Sequence, residues 1–302
     1  LKYLNNAPMS SDSLHAIYRE IMSASISLQR ETSVAYFGSP GSYTHQAARE
    51  KFGDSVLYYP QTTINDVFDS VEKGDTTYGV VPFENSTFGS VVTTLDRFIS
   101  SKAQIFAEAY LKVNHYLLSN FKFDLTLHYL TLPKAFGQCQ KWLDTHLKGV
   151  QRIDTFSTSK AAELSTVEPA SAAISNSICA DLYGLNILAK DIQDKKDNTT
   201  RFFILSTNSD GSTENDKTLL LFTVDHRKPG ALCDSLRIFK DNNINLTKID
   251  SRPSLQRPWH YVFFIELQGH KDDDVVKKSL EDLKEFCLDL KVLGSYQNQL
   301  QD

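Results

Sequence analysis

Short apolar segments of strand length alternate with segments of helical periodicity between Ser33 and about Ser206. The clearest strand covers residues 34–37, and a glycine-rich turn and a helix through Phe52 follow it. Strands that alternate with helices are typical of βαβ units, which build a mostly parallel sheet. Ligands of such sheets bind at the carboxyl ends of the strands, beside the N-termini of helices. The pattern therefore predicts an α/β fold with its binding site at those strand ends.

The pattern changes after residues 207–216 (TNSDGSTEND), which are polar and show no hydrophobic periodicity. Beyond this stretch the order of elements is β-α-β-β-α-β, which is typical of a ferredoxin-like domain. The predicted strands are 218–224, 245–249, 261–267 and 292–294, and the predicted helices are 229–239 and 275–286. We therefore expect a linker at 208–216 and a second, smaller domain at 217–298.

Composition narrows the classes of function. The 302 residues include 32 Lys and Arg against 37 Asp and Glu, so the net charge is −5. A mildly acidic chain is unlike a nucleic-acid binder, and a run of about 18 apolar residues, which a membrane span needs, is absent from the sequence. The four cysteines are far apart and form no CxxC pair, which fits a reducing compartment. A cytoplasmic location is the expectation.

Two polar loops follow predicted strands. GSPGSYTH at 38–45 opens a helix, and its hydroxyls beside free helix N–H groups suit a carboxylate or phosphate. A capped turn without a function explains this loop equally well. VPFENSTFGS at 81–90 brings a carboxylate, an amide and three hydroxyls to another strand end, and serines follow the strands near Phe156 and Ile174 in the same way.

A threonine–arginine pair, Thr200 and Arg201, enters the last strand of the first region. A threonine hydroxyl can donate a hydrogen bond to a departing oxygen, and an arginine can hold a carboxylate through two parallel bonds. Taken alone, the pair is explained better as a strand residue beside a surface salt bridge.

The eight histidines show neither HxH nor HExxH spacing, so a metal site has little support. His45 and His115 lie nearest the predicted strand ends and are candidates for the site, although a lone histidine is more often structural. A Gly-x-Ser-x-Gly nucleophile elbow is absent from the sequence.

Taken in order, these segments resemble the prephenate dehydratase family, from Val34 to about Tyr296. The tail resembles the ACT regulatory domain of that family. The motifs that carry the resemblance are GSPGSYTHQAA at 38–48, VVPFENSTFGSV at 80–91, STSKAA at 157–162, AAIS at 172–175, IQD at 192–194, NTTRFFIL at 198–205, PGALCDSL at 229–236 and DSRP at 250–253.

The resemblance implies a bilobed, periplasmic-binding-protein-like catalytic domain at 33–207. Its lobes would be about 33–108 with 191–207, and 109–190. The implied enzyme is a hydro-lyase in phenylalanine biosynthesis: prephenate loses CO₂ and water and becomes phenylpyruvate, with neither a cofactor nor a metal. Thr200 is the implied catalytic donor to the leaving hydroxyl. The residues implied in substrate binding are Thr44, Asn85, Ser86, Ser159 and Arg201.

ACT domains of this family pair between subunits and bind phenylalanine, which implies L-phenylalanine as an allosteric effector and a homodimer or homotetramer. The implied effector residues are Gly230, Ala231, Leu232, Ser251 and Arg252. Asp250 stands where the family usually has Glu, and since the charge is kept we expect the response to phenylalanine to be kept. Residues 132–139 depart from the family's usual His-Pro-Gln opening, so we expect less ligand contact there. Phe88 fills a position that is often polar or small.

Residues 1–32 predict a helix whose apolar stripe includes Ile17 and Ile21. This segment resembles the last helix of the chorismate mutase domain that precedes some dehydratases. The earlier helices of that domain are absent from the sequence, so we expect no mutase activity from this chain.

Two alternatives stay open. An arogenate dehydratase would act on a substrate with an amino group in place of the keto group, and no residue distinguishes the two substrates. A non-catalytic amino-acid sensor is the second alternative, although such a protein would not need the Thr200-Arg201-Phe202 motif.

Overall fold

The computed structural model describes residues 9–29, 32–121, 128–131, 133–209, 211–254 and 260–300. Within them the chain divides into two compact units. Unit 1 comprises Leu1–Thr63, Glu84–Gly89 and Leu111–Thr200, and unit 2 comprises Ile64–Phe83, Ser90–Tyr110 and Arg201–Asp302. These units cut across the domain and lobe boundaries given above, which stay predictions.

The first part of the chain alternates strands and helices as predicted. Its elements are α1 (Ser11–Gln29), β1 (Ser33–Phe37), α2 (Tyr43–Phe52), β2 (Leu57–Gln61), α3 (Ile64–Lys73), β3 (Tyr78–Asn85), β4 (Gly89–Ser90), α4 (Val92–Ser100), β5 (Gln104–Lys112), β6 (Tyr116–Ser119), β7 (His128–Thr131), α5 (Pro133–Gln138), α6 (Gln140–His146), β8 (Arg152–Asp154), α7 (Thr158–Leu164), β9 (Ser171–Ser175), α8 (Ile178–Tyr183), β10 (Asn186–Ala189) and β11 (Thr199–Ser206).

The last part of the chain has the predicted β-α-β-β-α-β order. Its elements are β12 (Asp216–Thr223), α9 (Ala231–Asp241), β13 (Leu246–Pro253), β14 (Tyr261–Gln268), α10 (Asp274–Leu283) and β15 (Asp289–Gln297). The four strands form one antiparallel sheet in the order β13-β14-β12-β15, so β13 lies at an edge. Leu220, Phe222 and Ile265 pack beneath the two helices with Val276 and Leu283, and this cluster is the core of the ferredoxin-like part.

Unit 1 contains a five-stranded sheet in the order β10-β6-β9-β7-β8. Strand β9 lies at its centre, and all five of its residues are buried. Ala172 and Ile174 pack on one face with Leu117, whereas Ala173 packs on the other face with Leu118. A strand that is apolar on both faces is typical of a sheet covered by helices on both sides. Strands β1 and β2, also in unit 1, pair in parallel.

Three predicted elements differ from the structure. The apolar run at 107–118 predicts one extended segment. The structure has two strands there, β5 and β6, in different sheets, because the backbones of Val113 and His115 bond with those of Asn198 and Ile192. The five-stranded sheet is mixed, since β6 runs antiparallel to both of its neighbours. The sequence predicts a strand at 153–156, but the strand found there is β8 at Arg152–Asp154, and the Phe156 side chain is 98% exposed.

A close backbone approach joins the ferredoxin-like sheet to β5 within unit 2. A Cβ atom at Gly294 in β15 would lie 2.3 Å from the Ile105 carbonyl oxygen and 2.8 Å from the Ile105 nitrogen. Only glycine allows two backbones this close. Gly294 therefore sets the point at which β15 can approach β5.

Candidate active site

The side chain of Asn85 holds the Thr200 hydroxyl in a hydrogen-bonded network. Asn85 Nδ2 donates to Thr200 Oγ1 at 2.9 Å and to Asn198 Oδ1 at 2.8 Å. Asn85 Oδ1 accepts from the backbone N–H groups of Thr87 and Phe88 at 3.0 and 3.1 Å. Since backbone N–H groups only donate, they fix which end of the amide faces Thr200. Thr200 Oγ1 is therefore the acceptor in this bond, and its own proton is available to another partner.

Further bonds fasten the loop of Asn85 to the strand of Thr200. Ser86 N donates to the Thr199 carbonyl at 2.9 Å, and Thr199 N donates back to Ser86 Oγ at the same distance. Ser86 Oγ in turn donates to the Asp197 carbonyl at 3.3 Å. The predicted residues Asn85, Ser86 and Thr200 are thus brought together. The Ser86 hydroxyl serves the protein itself, and its role in substrate binding stays a prediction.

Ser159, another predicted substrate-binding residue, lies in a separate cluster of hydroxyls. Its Oγ atom is 2.7 Å from Ser39 Oγ and 3.1 Å from Ser157 Oγ. Ser157 caps helix α7 by accepting from Lys160 N at 3.0 Å. The predicted residue Thr44 is buried in the first turn of α2, just after the turn that carries Ser39. Roles of Thr44 and Ser159 in binding stay predictions.

The turn before α2 is built around Gly41. The Asn176 Nδ2 amide donates to its carbonyl at 2.8 Å, and a Cβ atom at this position would lie 2.6 Å from Cys179 Sγ. The Gly41 N–H donates to His45 Nδ1 at 3.1 Å. His45 stacks on Tyr36 with ring centroids 4.5 Å apart. His45, a candidate for the site, therefore has a structural contact in this turn.

A cavity of about 390 Å³ opens beside the Asn85 network, within unit 1. This volume lies in the range of small-molecule sites, about 300–1,000 Å³. Its polar lining includes Asn198, which joins it to the network, and the cations Lys141 and Lys195. Asp194 also lines it, and accepts the Lys141 backbone N–H at 3.1 Å. The remaining lining residues are Thr87, Phe88, His115, Gly137, Gln138 and Gln193.

His115, the second histidine candidate, lies in the cavity wall with both ring nitrogens engaged. Nε2 is 2.7 Å from Gln138 Oε1, and Nδ1 is 3.0 Å from the Tyr43 hydroxyl. Burial lowers the pKa of His115 below its ordinary value, although the bond to Gln138 opposes this shift. Lys141 and Lys195 bring positive charge to the cavity wall. A further lysine, Lys134, lies 3.7 Å from the centre of the ring of Phe88, which also lines the cavity.

Arg201, predicted to bind substrate, lies in a buried ionic cluster of unit 2. Its Nε donates to Glu108 Oε2 at 2.8 Å, and its Nη2 pairs with Glu266. Lys217 Nζ lies 2.7 Å from Glu108 Oε1, and the Tyr296 hydroxyl donates to Glu266 Oε2 at 2.9 Å. Burial alone would raise the pKa of Glu266, but the Arg201 charge holds it below its ordinary value. Binding of substrate by Arg201 stays a prediction and would require this cluster to open.

The predicted effector residues fall at two places in unit 2. Gly230 caps helix α9 in the left-handed conformation (φ +83°), and Ala231, buried, and Leu232, half-buried, begin the helix. On β13 the neighbours Ser251 and Arg252 point in opposite directions, since Ser251 is exposed and Arg252 is half-buried against Asp96. Binding of an effector by these residues stays a prediction.

Among the described residues, no helix is long and apolar enough to cross a bilayer. The same residues contain no group of three or more His, Cys, Asp or Glu side chains arranged to hold a metal ion.

The sequence model of the prephenate dehydratase family matches residues 34–210, and that of the ACT domain matches residues 218–285. The chain belongs to the prephenate dehydratase family. This confirms the resemblance that the motifs indicated, and with it the α/β fold followed by an ACT domain.

Individual relatives agree with this assignment. A bifunctional chorismate mutase/prephenate dehydratase of Aquifex aeolicus is 44% identical over 290 residues, which are 96% of this chain and 80% of that protein. An arogenate dehydratase/prephenate dehydratase of Arabidopsis thaliana is 34% identical over 304 residues, with coverages of 96% and 77%. The crystal structure of prephenate dehydratase from Arthrobacter aurescens in complex with L-Phe is 30% identical. It covers 88% of this chain and 90% of that one, with a TM-score of 0.81.

The cavity shows what sequence reasoning missed. Asn198 and Gln193 lie inside motifs quoted for the family, but nothing in a motif says that the Asn198 side chain orients Asn85. Gln138 lies in the stretch where little ligand contact was expected, yet it lines the cavity. Lys141 carried no signal at all, because its position depends on how α6 packs.

The turn at Gly41 predicts a pH dependence of stability. Burial lowers the pKa of His45 to about 4, and Arg49 adds to the shift while Asp54 opposes it. Between the ordinary pKa of 6.5 and about 4, the unfolded chain binds a proton that the folded chain does not, so stability falls as the pH falls. We expect the free energy of unfolding, measured by urea titration at pH 7, 6 and 5, to fall less steeply in His45→Asn. The difference is at most about 1.4 kcal/mol per pH unit, the value for one proton.

The matched control is His15→Gln, at an exposed position of α1. The free energy of unfolding of this variant should fall with pH as steeply as that of the parent. If the free energy of unfolding fell equally steeply with pH in the parent and in His45→Asn, burial would not lower the pKa of His45 as described.

Proposed function

We propose that this chain converts prephenate to phenylpyruvate, CO₂ and water, as a hydro-lyase without a cofactor. The observation that carries the proposal is the bond from Asn85 Nδ2 to Thr200 Oγ1, beside a cavity lined by lysines. The C–C bond to the ring carboxylate breaks, and its electron pair enters the ring, which becomes aromatic. The C–O bond to the ring hydroxyl breaks at the same time, and the hydroxide takes up a proton and leaves as water.

Thr200 is the proposed donor of that proton or hydrogen bond. A threonine hydroxyl is a weak acid, so the protein must stabilise negative charge on its oxygen. The Asn85 amide does so from a fixed direction, and a preorganised donor of this kind needs no rearrangement during the reaction. Asn198 Oδ1 holds the other N–H of the same amide, which makes Asn198 a positioning residue.

The cavity would hold the substrate. Prephenate carries two carboxylates, and the cavity is lined by two lysines against one aspartate whose carboxylate already accepts the Lys141 N–H. This balance of charge favours an anionic substrate.

We further propose L-phenylalanine as the allosteric effector, bound in the ACT domain near Gly230, Ala231, Leu232 and Ser251. The match to the ACT domain and the Arthrobacter aurescens relative in complex with L-Phe support this part. Assembly as a homodimer or homotetramer and a cytoplasmic location stay predictions from the sequence.

Arogenate dehydratase is the alternative, and the similarity to the arogenate dehydratase/prephenate dehydratase of Arabidopsis thaliana supports it. Arogenate differs from prephenate by an ammonium in place of the side-chain keto group. A site that hydrogen-bonds one of these groups can reject the other by a large factor.

The test supplies prephenate and arogenate separately to the purified chain and follows phenylpyruvate by absorbance and phenylalanine by chromatography. We expect a higher kcat/KM with prephenate, since two lysines and an engaged aspartate offer little to an ammonium. A higher kcat/KM with arogenate would select the alternative. Turnover of neither substrate, with phenylalanine still bound, would support a sensor and contradict the proposal.

Substitution of Thr200 tests the proposed donor. Thr200→Ala removes the hydroxyl, and we expect kcat to fall by about 10²–10⁴-fold with little change in KM, the usual loss of a general acid. Thr200→Ser keeps the hydroxyl, and should keep kcat within about tenfold of the parent. A loss in Thr200→Ala below about tenfold would contradict the role.

A further inference from the structure

Strand β13 of the ACT domain presents a polar, half-buried face. Alternate residues of a strand share a face, and Lys248, Asp250 and Arg252 are half-buried while Ile249 and Ser251 between them are exposed. Two of the predicted effector residues, Ser251 and Arg252, are therefore on different faces. The exposed one can meet a ligand directly, whereas the other is engaged inside unit 2.

The half-buried face of β13 bonds to the segment at Ser90 and Asp96. Asp250 Oδ2 accepts from Ser90 Oγ at 2.7 Å. Arg252 donates to both carboxylate oxygens of Asp96, from Nε at 2.8 Å and from Nη2 at 3.0 Å. Both partners of this ion pair are only about a quarter exposed, at 25% and 27%. A two-bond pair of arginine and carboxylate fixes orientation as well as distance.

Ser90 and Asp96 continue the chain directly from the proposed catalytic loop. Val91 N donates to the Phe83 carbonyl at 2.8 Å, which closes a hairpin from β3 to β4. Asn85 is the last residue of β3, Ser86 begins the loop of this hairpin, and Ser90 lies on its second strand. Asp96 follows on α4, the helix that begins at Val92. The bonds of β13 therefore end on Ser90 and Asp96, in the chain segment that directly follows the Asn85 loop.

We propose that Ser90 and Asp96 are the positioning residues through which β13 transmits effector binding to Asn85 and Thr200. The inference rests on the proposed function and names the regulation of that site. Effector binding near Gly230 and Ser251 shifts β13, and the bonds to Asp250 and Arg252 carry the shift to the hairpin. A ligand alters a distant site only through contacts that differ between two states, and these two contacts are the ones that change.

The coupling has a signature that a merely structural contact would lack. When Ser90 and Asp96 lose their bonds, phenylalanine should still bind but should no longer change turnover. Because coupling between two binding equilibria is reciprocal, substrate should also lose its effect on the affinity for phenylalanine.

The experiment compares the parent chain with Asp96→Asn and with the double variant Ser90→Ala/Asp96→Asn. Turnover is measured with the substrate that the parent uses, without phenylalanine and at saturation. Binding of labelled phenylalanine is measured separately by equilibrium dialysis. The matched control is Asp69→Asn on α3, which removes the 2.7 Å ion pair between Asp69 and Arg97, the residue that follows Asp96 on α4.

In the double variant we expect the effect of saturating phenylalanine on turnover to fall to less than about twofold, from a parent effect of about 5–150-fold, typical of allosteric coupling. Turnover without phenylalanine and the Kd for phenylalanine should stay within about threefold of the parent. Asp69→Asn should respond like the parent, and Asp96→Glu, which keeps the charge, should retain part of the response.

Three results would overturn the inference: a double variant that responds as the parent does, a double variant that no longer binds phenylalanine, or a parent whose turnover ignores bound phenylalanine. A parent that turns over neither prephenate nor arogenate would instead overturn the proposed function, and the inference with it.

Discussion

The side-chain amide of Asn85 offers two N–H groups and a carbonyl oxygen with two lone pairs, and the protein uses all of them. Two backbone N–H groups hold the carbonyl, so the NH₂ end has to face Asn198 and Thr200. This orientation turns Thr200 Oγ1 into an acceptor, so its proton is available for the departing hydroxyl of the proposed reaction. The proposed chemistry depends on it, because an unsupported threonine hydroxyl is too weak an acid for the task.

A buried ionic cluster holds strand β11 at Arg201, the residue that follows Thr200. Arg201 is paired with Glu108 and Glu266 in the interior, and loss of one partner of such a pair costs about 3–5 kcal/mol. Since neighbouring residues of a strand point to opposite faces, the anchored Arg201 side chain also sets the side to which Thr200 points. Asn198 and Thr200, two residues apart, share that side and meet the same amide.

Local patterns predicted the alternation of strands and helices, the ferredoxin-like order and the strand ends that carry Asn85 and Thr200, because turn chemistry and periodicity depend on neighbouring residues. Strand β2 and helix α4 were not predicted, since β2 contains a proline and has no buried residue, and α4 has the β-branched residues Val92, Thr93 and Thr94 in its first turn. The ion-pair partners of Arg201 could not be predicted from the sequence for another reason. Glu108 and Glu266 are far from it in sequence, and only tertiary packing brings their carboxylates to the guanidinium.

The proposed mechanism depends on the hydrogen bond between Asn85 and Thr200. A double-mutant cycle on kcat with Asn85→Ala and Thr200→Val tests this dependence most directly. If the amide acts only through the hydroxyl, the Asn85 substitution should cost little once Thr200 has been replaced, so the double variant should be about as slow as Thr200→Val alone. Losses of activity that multiply in the double variant would contradict the account, because the two residues would then act independently.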